Sequence, residues 1–87
     1  MTDFGGKVAL VTGASSGMGA ETARILSEGG ARVFAAQRSP SGYEDIQADF
    51  AEPNAPAKVI DFIARETDRL DILVNNAGVM REGTVDE

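Results

Sequence analysis

The sequence contains no cysteine and no histidine. The first absence excludes a disulfide framework, and the two together exclude a zinc site built on thiolate or imidazole ligands. Acid–base catalysis by imidazole is excluded as well. Long hydrophobic runs are also missing. Stretches such as Val8-Ala9-Leu10-Val11 fall far short of the roughly 18 residues that a membrane-spanning helix needs. The first residues, Met1-Thr2-Asp3-Phe4-Gly5-Gly6-Lys7, lack the basic-then-apolar order of a secretory leader. The expectation is therefore a cytoplasmic protein with no membrane partner.

Basic residues are scarce. Eight Lys and Arg stand against 14 Asp and Glu, for a net charge of −6. The deficit is uneven: residues 1–42 carry four basic and three acidic groups, residues 43–87 four basic and eleven acidic. With an isoelectric point near 4.5, a nucleic-acid partner is not expected. The near-neutral N-terminal half tolerates an anion, whereas the acidic half attracts none without local help. What remains is an ordinary folding composition, 43% hydrophobic and 25% charged over 87 residues. That is one small domain with a thin core.

The apolar pattern alternates between two periods. Val8–Val11 is a short apolar run ending in Thr12-Gly13, as in a strand buried on both faces. Ser15 and Ser16 are placed to cap a helix starting near Gly17. Its expected buried stripe is Met18, Thr22, Ile25 and Leu26, and Gly29-Gly30 ends it. Arg32–Ala36 reads as a second buried strand and Glu44–Asp49 as a more polar third, near a sheet edge. Asn54 is the expected N-cap of a second helix, with Pro56 in its first turn and a stripe of Val59, Phe62, Ile63, Thr67 and Leu70. Asp71–Asn76 reads as the fourth strand. Buried strands alternating with amphipathic helices predict a parallel α/β sheet. Residues 38–43 are too few for the usual crossover helix and are read as a loop.

The most informative segment is Thr12-Gly13-Ala14-Ser15-Ser16-Gly17-Met18-Gly19, where the first strand hands over to the first helix. Gly13 permits a sharp turn off the strand. Gly17 lets backbone approach a diphosphate, and Gly19 lets the helix pack near the strand. The helix N-terminus offers free N–H groups and partial positive charge to phosphates, with no lysine required. A P-loop is disfavoured, since no Gly-Lys-Ser/Thr follows.

This segment resembles the T-G-x-x-x-G-x-G motif of short-chain dehydrogenases/reductases. Asn75-Asn76-Ala77-Gly78 is similar to the N-N-A-G motif of that family, and Asp49 to its acidic residue beside the adenine ring. The resemblance implies a Rossmann-type doubly wound parallel sheet, incomplete in this span, with strand order 3-2-1-4. It also implies roles. Gly13, Ser15, Ser16, Gly17, Met18 and Gly19 would wrap the adenosine ribose and diphosphate. Asp49 and the Phe50 backbone would hold the adenine, and Asn76, Ala77 and Gly78 would line the cleft. Thr12 and Asn75 would tie the first strand to the fourth.

Cofactor choice falls at the end of the second strand, about 20 residues past the glycines. Here stand Gln37 and Arg38. Glutamine does not repel a 2′-phosphate, and arginine can clamp one, so NADP(H) is favoured over NAD(H).

The chemistry of the resembling family uses a Tyr-x-x-x-Lys pair, a serine and a further asparagine. The only tyrosine is Tyr43, and four residues on stands Gln47, so no catalytic residue and no metal ligand is assigned. Residues 1–87 are read as the N-terminal, dinucleotide-binding half of one domain, inactive alone. When complete, it would act on a small carbonyl or alcohol substrate, as a homo-oligomer or with a complementary C-terminal half. Two alternatives stand beside this: a non-catalytic nucleotide-binding module, and a fragment that associates through an open sheet edge.

Overall fold

The computed structural model describes residues 3–15 and 17–76. The elements are β1 (Val8–Thr12), α1 (Gly17–Glu28), β2 (Arg32–Gln37), β3 (Glu44–Gln47), α2 (Ala55–Glu66) and β4 (Ile72–Asn75). They form one four-stranded sheet in the order β3-β2-β1-β4, with every neighbouring pair parallel.

β1 is buried along its whole length because it has a strand on each side and a helix on each face. Successive strand side chains point to opposite faces, and the core divides accordingly. Ala9 and Val11 of β1, with Val33 and Ala35 of β2, pack against Ala23 and Leu26 of α1. Val8 and Leu10, with Phe34 and Ala36, pack against Val59 and Ile63 of α2. The sheet is thus wound on both sides in the Rossmann manner.

Both helices present only part of the stripe read in the sequence: Leu26 of α1 and Val59 and Ile63 of α2 are buried as expected, and small residues take the other positions. In α1 the buried residues are Gly19, Ala23 and Leu26, while Met18 is 79% and Ile25 49% exposed. In α2 they are Ala55, Val59 and Ile63. The cause is steric: small side chains bring a helix axis close to a sheet, and periodicity judged by large apolar residues overlooks them. Phe62 lies on the rim with its ring edge-on to Phe34, centroids 6.3 Å apart. Thr67 is the C-cap of α2, and Leu70 lies beyond the helix. Asn54 is the N-cap position as expected, but its side chain makes no cap hydrogen bond.

β3 ends at Gln47, two residues short of Asp49. Pairing runs one residue further, through Ala48 N–H donating to the Gln37 carbonyl at 3.1 Å. The parallel β2–β3 connection is made by residues 38–43 without a helix, although such connections ordinarily take a dozen residues or more.

The N-terminal edge of the sheet is held by charge. Arg32 pairs with Glu44 of β3 and Glu66 of α2, and its guanidinium stacks 4.8 Å from the Phe34 ring centroid. Asp71 extends the β1–β4 ladder: its N–H donates to the Val8 carbonyl at 2.8 Å, and its Oδ2 accepts the Val8 N–H at 2.9 Å. Arg69 grips the same carboxylate with two nitrogens. The Arg69 guanidinium and the Val8 amide hold the Asp71 carboxyl down to about 2.

Candidate functional site

In a parallel sheet all C-terminal strand ends lie along one edge, and the residues singled out in the sequence fall there. Gly13 follows β1, Arg38 follows β2, Asp49 and Phe50 follow β3, and Asn76 follows β4. The strand order reverses between β1 and β4, the crevice where open α/β sheets take ligands. Ser16, Ala77 and Gly78 lie outside the described residues.

The glycine-rich turn is shaped by two requirements. Gly13 has φ +73° as the chain leaves β1, a region that side chains disfavour. Gly19 is buried in the first turn of α1, and a Cβ there would overlap the Gly13 carbonyl oxygen. The turn therefore folds back onto the helix start. Ser15, Gly17 and Met18 are exposed. The first turn of α1 carries no acidic residue, so nothing on it opposes the positive end of the helix dipole.

Across the β1–β4 crevice, Thr12 Oγ1 donates to Asn75 Oδ1 at 2.9 Å and accepts the Asn76 N–H at 3.0 Å. Sequence reasoning assigned Thr12 and Asn75 this tie, and the structure bears it out.

Gln37 and Arg38 part company. Gln37 is the last residue of β2 and only 8% exposed. Its Oε1 accepts the Ala14 N–H at 3.0 Å, and its Nε2 donates to Asp45 Oδ1 at 3.0 Å. Arg38 is exposed and, among the described residues, holds no carboxylate or hydrogen-bond partner. Arg24, Arg32 and Arg69, by contrast, are all paired.

Asp45 was not foreseen. Its carboxylate accepts the Gln37 carboxamide, the Ser41 and Gly42 amides, each at 3.0 Å, and the Ser41 hydroxyl. Desolvation pushes its carboxyl up, but these donors outweigh that and hold it below its ordinary value. The available signal was an acid four residues after a Ser-Gly turn, a pattern common to many unremarkable loops.

Arg38 also borders a cleft of about 420 Å³ between the end of β3 and the start of α2. Ile46, Ala48, Ala55 and Val59 give it an apolar lining, to which Asp49, Glu52 and Lys58 add charge. Asp49 stands in a turn, its Oδ1 accepting the Ala51 N–H at 3.0 Å. Phe50 is half-buried and packs against the α2 side of the core. Sequence reasoning also passed over Lys58, because its spacing on α2 marks only a solvated face. Among the described residues there is no cluster of acidic side chains fit for a metal ion, and no helix is long and apolar enough to cross a membrane.

Comparison with known proteins agrees with this architecture. The 2,3-dihydro-2,3-dihydroxybenzoate dehydrogenase of Escherichia coli is 40% identical over 91 residues, covering 98% of this chain and 36% of that protein. The D-threitol dehydrogenase of Mycolicibacterium smegmatis is 38% identical over 96 residues, covering 94% and 37%. Among solved structures, the ligand-free aldohexose dehydrogenase of Thermoplasma acidophilum superposes with a TM-score of 0.82 at 33% identity, covering 97% of this chain and 34% of that one. An NADP active-site complex of Pseudomonas aeruginosa RhlG gives 0.79 at 36% identity, covering 90% and 37%. The chain thus spans between 34% and 37% of the length of these four relatives. Residues 7–87 match the short chain dehydrogenase family, and the chain belongs to that family.

Proposed function

We propose that this chain is the N-terminal, adenosine-diphosphate-binding half of a nicotinamide-dependent oxidoreductase that interconverts a small carbonyl compound and its alcohol, with NADP(H) favoured over NAD(H). The observation that carries the reading is the convergence of the glycine-rich turn, Arg38, Asp49 and Asn76 on the C-terminal edge of one parallel sheet.

The residues present suit the cofactor. Gly13, Ser15, Ser16, Gly17, Met18 and Gly19 would hold the diphosphate and its ribose, because the start of α1 is free of acidic side chains. Asp49 and Phe50 would serve the adenine, and Asn76, Ala77 and Gly78 the adenosine-side crevice. Arg38, unpaired among the described residues, would hold the 2′-phosphate through paired hydrogen bonds. Gln37 serves the same end from within, by fixing the Ala14 amide of the turn. When bound, the dinucleotide supplies or takes the hydride. The RhlG complex with NADP is consistent with the preference.

Residues 1–87 contain no Tyr-x-x-x-Lys pair, so turnover is assigned to a longer chain or a complementary half, located in the cytoplasm and assembled as an oligomer. The test of cofactor preference is Arg38→Asp, with NADPH and NADH titrated separately. The reading expects NADPH binding to weaken far more than NADH binding; an equal loss for both refutes it.

A further inference from the structure

We infer that Asp45 is a positioning residue: a carboxylate held by the protein's own donors that sets the shape of the 38–43 loop, and with it the place from which Arg38 reaches the ligand's 2′-phosphate. The inference rests on the assignment of Arg38 to that phosphate.

The Asp45 carboxylate receives four donors: the Gln37 carboxamide, the Ser41 amide, the Ser41 hydroxyl and the Gly42 amide. A carboxylate offers about four lone-pair sites, so Asp45 has none left for a ribose hydroxyl. Gln37 is fixed between Asp45 and the Ala14 amide and is almost wholly buried. The two polar side chains nearest the end of β2 are therefore both committed within the protein, and Arg38 is the group left to read the 2′ position.

The same bonds anchor the loop at two points. Gln37 fixes one end, and Ser41-Gly42 the other. Only Arg38, Ser39 and Pro40 lie between them, and proline removes one further backbone freedom. A loop ordered before the ligand arrives costs less to bind through. This arrangement also suits a parallel connection that has no helix to stiffen it.

Asp45 lines the same groove as Arg38, which gives the test opposing signs. Charge alone predicts that Asp45→Asn, by deleting a negative group, tightens a 2′-phosphate. Positioning predicts that it loosens one, because an amide cannot accept all four donors. The probes are adenosine 2′,5′-bisphosphate and AMP, which differ by the 2′-phosphate, titrated into the chain by calorimetry. Asp45→Asn should weaken the bisphosphate about tenfold, the size of one charge-assisted hydrogen bond, and leave AMP unchanged. Ser41→Ala, which removes one donor of the four, should weaken it less and in the same direction. Equal or tighter bisphosphate binding in both variants overturns the inference. Arg38→Ala separates the two levels: it should abolish the advantage of the bisphosphate over AMP. If that advantage survives Arg38→Ala, the assignment of Arg38 fails, and the role of Asp45 fails with it. If it vanishes with Arg38→Ala but is undiminished in Asp45→Asn, the Asp45 role alone fails.

Discussion

Gly19 lies so close to Gly13 that a Cβ on Gly19 would overlap the Gly13 carbonyl oxygen and stand 2.8 Å from its carbon. The contact is backbone against the first turn of α1, and neither partner can move without undocking the helix. Gly19→Ala is therefore expected to cost at least about 2–3 kcal/mol, the upper range for overpacking, and to displace the glycine-rich turn to which the proposal assigns the diphosphate. Urea unfolding measures the first effect and nucleotide titration the second.

The Thr12 hydroxyl makes a comparable prediction at the β1–β4 crevice. It donates to Asn75 and accepts from the Asn76 amide. Thr12→Val keeps the shape and removes both bonds, with an expected loss of about 1–2 kcal/mol. Hydrogen exchange at the Asn76 amide should quicken, which separates a local opening of β4 from a general loss of stability.

Asp71 predicts an acid limb in stability. Its carboxyl sits at about 2 in the folded chain, below the unfolded value of about 3.9. A depressed carboxyl contributes stability that is complete above the unfolded value and lost as pH falls through the folded one. Unfolding midpoints should fall between about pH 5 and pH 2, and the fall should be shallower in Asp71→Asn, which keeps an acceptor for Val8 but cannot titrate.

Phe34 is fully buried, edge-on to Phe62 and beneath the Arg32 guanidinium. Phe34→Ala should cost about 3–5 kcal/mol, a large share of the stability available to a domain of this size. Thermal unfolding followed by circular dichroism reads that loss.

The topology was legible because strands buried on both faces read as apolar runs, and β1 and β2 are such strands. The faces of the helices were less so. Met18 and Ile25 looked like core residues because they are large and apolar, yet Gly19 and Ala23 face the sheet because they are small. The end of β3 was misplaced for a related reason: Ala48-Asp49 continues the strand's composition, but the chain turns there, with Asp49 accepting the Ala51 amide. The glycine-rich turn and the Asn75-Asn76 pair stood out through their spacing. Asp45 did not, since its partners are two backbone amides and a glutamine brought together only by the short 38–43 loop.

The central claim is that the C-terminal edge of this sheet binds the adenosine half of a phosphorylated dinucleotide. The most direct test is to titrate adenosine 2′,5′-bisphosphate into the isotope-labelled chain and follow its backbone amides by NMR. Saturable shifts concentrated at Gly13, Gly17, Gly19 and Arg38 are the predicted result. Shifts that avoid the glycine-rich turn, or no saturable shift at millimolar nucleotide, would contradict it.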